Sequence, residues 1–125
     1  MQRKTVQREA IQEVFRNTGH PLRLEDILAQ GRLLVPTLNR ATVYRNLKLL
    51  VEVGWLTQVQ HPTLGTIYER AGLAHHHHFH CNSCDRIYEL PGCVLNAAAT
   101  PEGFVVQEHE IFLSGLCPAC VEPVL

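Results

Sequence analysis

No stretch of this chain approaches the ~20 consecutive apolar residues that span a bilayer. Behind the opening Met-Gln-Arg-Lys-Thr-Val-Gln-Arg there is no apolar segment of the secretory-leader type. Both absences point to a soluble, cytoplasmic protein with no membrane partner, in a compartment where cysteines stay reduced. His-Glu-x-x-His, the pair that builds many zinc proteases, is missing. So are internal repeats, and the one low-complexity tract is a short run of histidines. Net charge is low too, −1 over 125 residues, but it is unevenly spread. Residues 1–60 hold nine Lys and Arg against five acids, a surplus of +4, whereas residues 61–125 hold two against seven, a deficit of −5. All five cysteines and seven of the eight histidines lie in that second part. The asymmetry suits a basic module for a polyanion joined to an acidic, metal-rich one. A chain of this length makes one domain or two small ones, and small units bury so little core that a metal staple or a dimer interface is expected to help.

What the chain has in abundance is metal-ligand chemistry. Residues 75–84 read His-His-His-His-Phe-His-Cys-Asn-Ser-Cys. Packing does not call for a row of imidazoles; zinc and other late transition metals do. A purification tag is the bland alternative, but this run is internal and broken by Phe79. Cys81 and Cys84 form one Cys-x-x-Cys knuckle, and Cys117 and Cys120 form another. Four cysteines in two knuckles close a tetrahedral structural zinc site. A thioredoxin-like redox pair and a pair of disulfides are the rival readings; the first needs only one knuckle and the second an oxidising compartment. Cys93 is left over and reads as a small buried hydrophobe.

Periodicity organises the rest. Residues 6–16 predict a helix with Val6, Ala10, Ile11, Val14 and Phe15 inward, stopped by the Gly19 and Pro21 region. Residues 24–30 predict a second helix ended by Gly31, and residues 32–38 a connection. Residues 40–53 predict a third, with Asn39 as N-cap and Gly54 behind it. Val43, Leu47, Leu50 and Val51 form its apolar stripe, leaving Arg40, Thr42, Arg45 and Lys48 to face outward. Residues 55–60 and 66–70 predict a hairpin. Three helices and a hairpin, with a basic third helix, follow the order of a winged helix, which sets its last helix in the major groove; a merely solvated amphipathic helix fits the pattern equally well. Beyond residue 75 the chain reads mainly as strands, with a long extended run over residues 104–113 suited to pairing across a dimer and a short helix at residues 94–99.

The motifs Thr5-x-Gln7-Arg8-x-x-Ile11, Ala41-Thr42-Val43-Tyr44-Arg45-Asn46-Leu47, and the histidine run with its two knuckles resemble the ferric uptake regulator family of metal-sensing bacterial repressors. The resemblance covers nearly the whole chain. It implies an α+β protein: a winged-helix DNA-binding domain at residues 1–70, a hinge near 70–74, and an α/β dimerisation domain at residues 75–125 stapled by the four-Cys zinc. It implies structural zinc on Cys81, Cys84, Cys117 and Cys120, and a regulatory divalent metal (zinc, iron or manganese) on His20, Glu69, His76, His78 and Glu89. His76 and His78 would share a strand face. His75 and His77 face the other way and, with His109, resemble part of an additional metal site many members carry. This sequence departs from the pattern there, because Asn96 stands where many members place a Glu; Glu108 or Glu110 is the candidate substitute, and His109 reads equally well as a surface residue. His61 and His80 read as solvent-facing or structural.

For DNA, the resemblance implies contacts from Lys4, Arg8, Arg40, Thr42, Tyr44 and Arg45, with Tyr44 as a core aromatic the alternative. The expected partners are an A·T-rich palindromic operator in double-stranded DNA and a second copy of the chain, with no small organic substrate. Two other functions compete. A zinc hydrolase would use the histidines as an open catalytic site with Glu69 or Glu89 as base, but leaves the basic third helix without a role. A non-sensing zinc-ribbon interaction module leaves the five histidines unexplained.

Overall fold

The computed structural model describes residues 3–93 and 100–121, with side chains from Thr5 onward. The expected helix at residues 94–99, Asn96 and the Lys4 side chain therefore lie outside the described residues. The chain divides into two compact units, Met1–Gly72 and Leu73–Leu125. No described helix is long and apolar enough to cross a membrane.

The first unit is three helices and a hairpin: α1 (Arg3–Thr18), α2 (Leu24–Leu34), α3 (Arg40–Glu52), β1 (Leu56–His61) and β2 (Gly65–Arg70). Its core is one apolar cluster drawn from every element: Ile11, Val14 and Phe15 of α1, Ile27 of α2, Val43, Leu47 and Leu50 of α3, Leu56 of β1 and Tyr68 of β2, with Leu22 and Leu38 from the connections. The caps follow local chemistry. The Asn39 side chain accepts from the Thr42 N–H at 2.9 Å, and the Asp26 carboxylate accepts from the Arg23 N–H at 3.1 Å. Gly54 ends the helical segment at φ +80°, a conformation Gly adopts without the Cβ penalty. Leu22 exchanges two backbone hydrogen bonds with Tyr68 (2.9 and 2.8 Å), so the turn after α1 is laced to β2.

Three sequence expectations change here. Helix α2 runs through Gly31 to Leu34; the glycine is buried, and a Cβ on it would sit 2.6 Å from Leu38 Cδ2. Gly31 is thus a packing residue, not a stop. Val6 is 40% exposed, and Gln7 takes the inward position beside Ala10 and Ile11. Thr42 is buried rather than outward-facing: its carbonyl accepts from Asn46 Nδ2 and its hydroxyl from Arg45.

The second unit is a three-stranded sheet in the order β4-β3-β5, with β3 (His76–Cys81) central, β4 (Ile87–Pro91) antiparallel to it and β5 (Phe112–Gly115) parallel. Within a single chain, the run expected to be extended over residues 104–113 is a strand only at its end. Only residues 112–115 pair with β3; Phe104, Val105 and Val106 are exposed, at 71, 85 and 49%. Extended backbone becomes a strand only where a neighbour takes its N–H and C=O groups, and residues 104–110 have no strand partner among the described residues of one chain.

Candidate metal centres and nucleic-acid surface

The pairing of β3 with β5 sets two of the ligand groups. Cys81 stands opposite Gly115 in the parallel register, and the Asn82 N–H donates to the Gly115 carbonyl at 2.7 Å. The knuckle that begins with Cys81 is thereby brought against the one that begins with Cys117. All four Sγ atoms lie within 4.8 Å of one another, and Cys84 Sγ is 3.8 Å from Cys117 Sγ. Zn–S bonds of ~2.3 Å in a tetrahedron give S···S edges of about 3.8 Å. The backbone N–H groups of Cys84 and Cys117 each donate to Cys81 Sγ at 3.4 Å. Together they pull the Cys81 thiol down to about 6, toward the thiolate that ligates metal. The Tyr88 side chain hydrogen-bonds Cys117 and lowers it as well. Cys120 is pushed up to about 12 by its thiol neighbours, chiefly Cys117, as expected of sulfurs sharing a site built for a cation.

The same parallel register, carried three residues back from the His78–Phe112 pair, brings His109 beside His75. On the other edge the Gly92 N–H donates to the His75 carbonyl at 3.0 Å, ending β4 so that Cys93 follows next to His77. Four atoms then converge. His75 Nε2 is 3.0 Å from His77 Nε2 and 3.2 Å from His109 Nε2; Cys93 Sγ is 3.0 Å from His77 Nε2 and 3.3 Å from His109 Nε2. Cys93 is exposed, not a buried hydrophobe, and nothing in its lone position in the sequence revealed this. His109 is a member of the cluster rather than a bystander on the surface. Glu108 and Glu110 line the hollow that holds His75 and His109, but Cys93 completes the group. Burial, with His75 and His109 alongside, pushes His77 below the ordinary imidazole range, toward the neutral form that binds metal.

The opposite face of β3 carries His76 and His78, rings 5.0 Å apart. Glu89 of β4 stands directly across from His78, and a pocket is lined by His76, Glu89, His75, Leu73, Ala74 and Pro91. Glu89 and the two histidines therefore share one sheet face. His76 Nδ1–H donates to the Ala74 carbonyl at 2.8 Å, which fixes the ring's tautomer and orientation. In the first unit His20 does the same with the Pro21 carbonyl at 3.1 Å. The Leu22–Tyr68 pair holds that turn beside β2, where Glu69 is a buried carboxylate.

The remaining histidines have structural duties. His61 Nδ1 accepts from the Thr63 and Leu64 N–H groups and caps the hairpin turn. His80 Nε2 meets the Asp85 carboxylate at 2.6 Å.

On α3, Tyr44 is 55% exposed, so it is not a core aromatic. Arg45 and Lys48 are exposed with it. Arg40 is exposed and pairs with Glu25. Arg8 reaches from α1 into a cleft lined by Gln7, Thr42, Arg45, Asn46 and Leu49, and its buried Nε has no hydrogen-bond partner.

This arrangement matches known proteins. The family model described as "Ferric uptake regulator family" matches residues 2–114. The chain belongs to the ferric uptake regulator family. Members of this family are metal-responsive transcriptional regulators and not enzymes. They bind a structural zinc and a regulatory iron, zinc or manganese, and they bind DNA and are dimeric in their structures. The hydrolase alternative has no support. Among curated relatives, the ferric uptake regulation protein of Synechococcus elongatus is 33% identical over 94% of this chain and 85% of its own. The peroxide operon regulator of Bacillus subtilis is 33% identical over 94% and 83%. The ferric uptake regulator of Helicobacter pylori, whose structure reveals three functional metal binding sites, superposes with a TM-score of 0.67 at 25% identity, covering 94% of this chain and 81% of that one. The second knuckle lies beyond the stretch matched to the family, so the four-sulfur geometry adds to that match independently.

Proposed function

We propose that this chain is a repressor that binds an A·T-rich palindromic operator as a homodimer when a divalent metal fills a regulatory site. The observation that carries the reading is the pairing of two features: an outward Tyr44–Arg45–Lys48 surface on α3, and an oxygen-and-nitrogen ligand set on one face of the β3–β4 sheet. His20, Glu69, His76, His78 and Glu89 would hold the regulatory metal. Three groups support this: His20 and His76, whose rings are oriented by Nδ1 bonds to backbone carbonyls, and Glu69, a buried carboxylate. The metal would supply a bond between ligands of both units, and hence a preference for one arrangement of the winged helices. Cys81, Cys84, Cys117 and Cys120 would hold the structural zinc.

Arg45 and Arg8 would meet phosphate or base edges, with Tyr44 packing on a thymine methyl and Arg40 and Lys4 on the backbone. Thr42 would act by holding Arg45 and not by touching DNA. Residues 1–70 would form the DNA-binding domain and residues 75–125 the dimerisation domain, joined near 70–74. The exposed apolar run at residues 104–106 is a ready surface for the second copy.

The test is fluorescence anisotropy on the A·T-rich region upstream of the chain's own gene. Labile metal is removed, structural zinc is retained, and Zn(II), Mn(II) and anaerobic Fe(II) are returned singly. One metal should raise affinity by roughly 5–150-fold, and His76→Ala should remove that gain. Binding indifferent to metal would overturn the sensing mechanism.

A further inference from the structure

We infer that Cys93 supplies a thiolate as the fourth ligand of the additional metal site expected on His75, His77 and His109, closing it as a tetrahedral site selective for zinc. This deepens the regulator reading by assigning a ligand and a metal class that the reading leaves open, and rests on it only for the chain being a metal-binding regulator.

The geometry argues first. Each of the four atoms stands 3.0–3.3 Å from two others in a closed ring. In a tetrahedron, Zn–N bonds of 2.0–2.1 Å give N···N edges of about 3.4 Å and a Zn–S bond of ~2.3 Å gives N···S edges of about 3.6 Å, so the four atoms are already gathered at or slightly inside ligand spacing. Hydrogen bonding among the four is a poorer account. Each Nε2 carries either one proton or one lone pair, yet each lies against two neighbours, and a shared cation satisfies every lone pair at once. His77 Nδ1 is buried without a hydrogen bond, so the protein has placed this ring for its other nitrogen.

The donor set argues next. Three imidazoles and a thiolate contain no oxygen. Such a set favours zinc, cobalt(II) and copper over manganese or magnesium, which prefer carboxylate and water. With four protein ligands there is no open position for a substrate, so the site is not catalytic. Binding would displace the Cys93 thiol proton to solvent. A dication with one thiolate and three neutral imidazoles carries +1, and Glu108 and Glu110 on the adjoining wall are placed to offset it. This set differs in kind from the oxygen-containing one on the opposite face of β3. One strand, through its alternation, thus offers a zinc-selective site on one side and a site open to several metals on the other.

The experiment is cobalt substitution in the full-length chain with its four-Cys zinc retained. Co(II) added after removal of labile metal should give intense tetrahedral d–d bands and a thiolate-to-cobalt charge-transfer band. In Cys93→Ser that charge-transfer band should vanish and bound cobalt fall by one equivalent. His109→Ala, remote from the knuckles in sequence, should weaken the band in the same way, and far-ultraviolet circular dichroism confirms that both variants fold. Zn(II) should bleach the wild-type band at stoichiometric addition, while Mn(II) in excess should not. A charge-transfer band unchanged in Cys93→Ser would show that cobalt had exchanged into the four-Cys group and would overturn the assignment, as would the absence of the band in the wild type. Operator binding by Cys93→Ser, read by anisotropy, separates this outcome from failure of the regulator reading: loss of the band concerns only this site, whereas metal-indifferent DNA binding by the wild type concerns the other.

Discussion

The two units of this chain are held together by different physics. In Met1–Gly72 every element contributes to one apolar cluster, and Ile11, Ile27, Val43 and Leu47 are fully buried in it. Among the described residues of Leu73–Leu125 the buried ones are of another kind: Cys81 and Cys117 of the knuckles and His77 and His78 of β3, with Ile87. A unit that small does not gather enough apolar area to offset its chain entropy. It places ligands where the core would be. The first unit is thus stabilised by its own side chains, whereas the second would draw stability from the structural zinc its four cysteines are placed to hold.

Removing metal should break the comparison most sharply. Stripping zinc from the four-Cys group, or Cys81→Ser, should unfold residues 73–125 and leave residues 1–72 intact, as followed by limited proteolysis with mass spectrometry. The loss is on the order of 10 kcal/mol, the scale of structural zinc in small domains. Equal loss of both units would overturn the division. Leu47→Ala should do the converse. It opens a cavity in the helical core at a cost of about 2–5 kcal/mol, lowering the melting of the first unit while zinc content measured by mass spectrometry stays unchanged. Gly31→Ala is expected to cost about 1–3 kcal/mol by overpacking against Leu38, despite the ~1 kcal/mol of helix propensity it gains. If thermal denaturation shows it neutral, Leu38 has moved aside. Asn39→Ala removes the α3 cap, about 1 kcal/mol, and the effect should appear in chemical denaturation of the first unit alone.

Much of the fold was open to reading in the chain. Asn39 announces α3, whose observed span differs from expectation by one residue, because a cap acts within one turn. The hairpin follows from two extended runs joined by a short turn at Gly65. Errors arose where a remote residue decided. Gly31 reads as a stop until Leu38 is seen against it, and Thr42 reads as outward until its bonds to Asn46 and Arg45 are seen. The strand expected over residues 104–113 depends on a neighbouring strand, and no local pattern can supply one.

The cysteine knuckles and the alternating histidines belong to the sequence by itself. Their chemistry lies in spacings of two or three residues, and the geometry of a turn or a strand makes such spacings contacts whatever the rest of the chain does. Cys93 belongs to the tertiary structure. It stands 16 residues from both His77 and His109, and it reaches them only because the Gly92 backbone pairs with His75 on one edge of β3 while the parallel register of β5 carries His109 to the other. A strand's alternation decides which way a side chain points; only the pairing of strands decides what it meets.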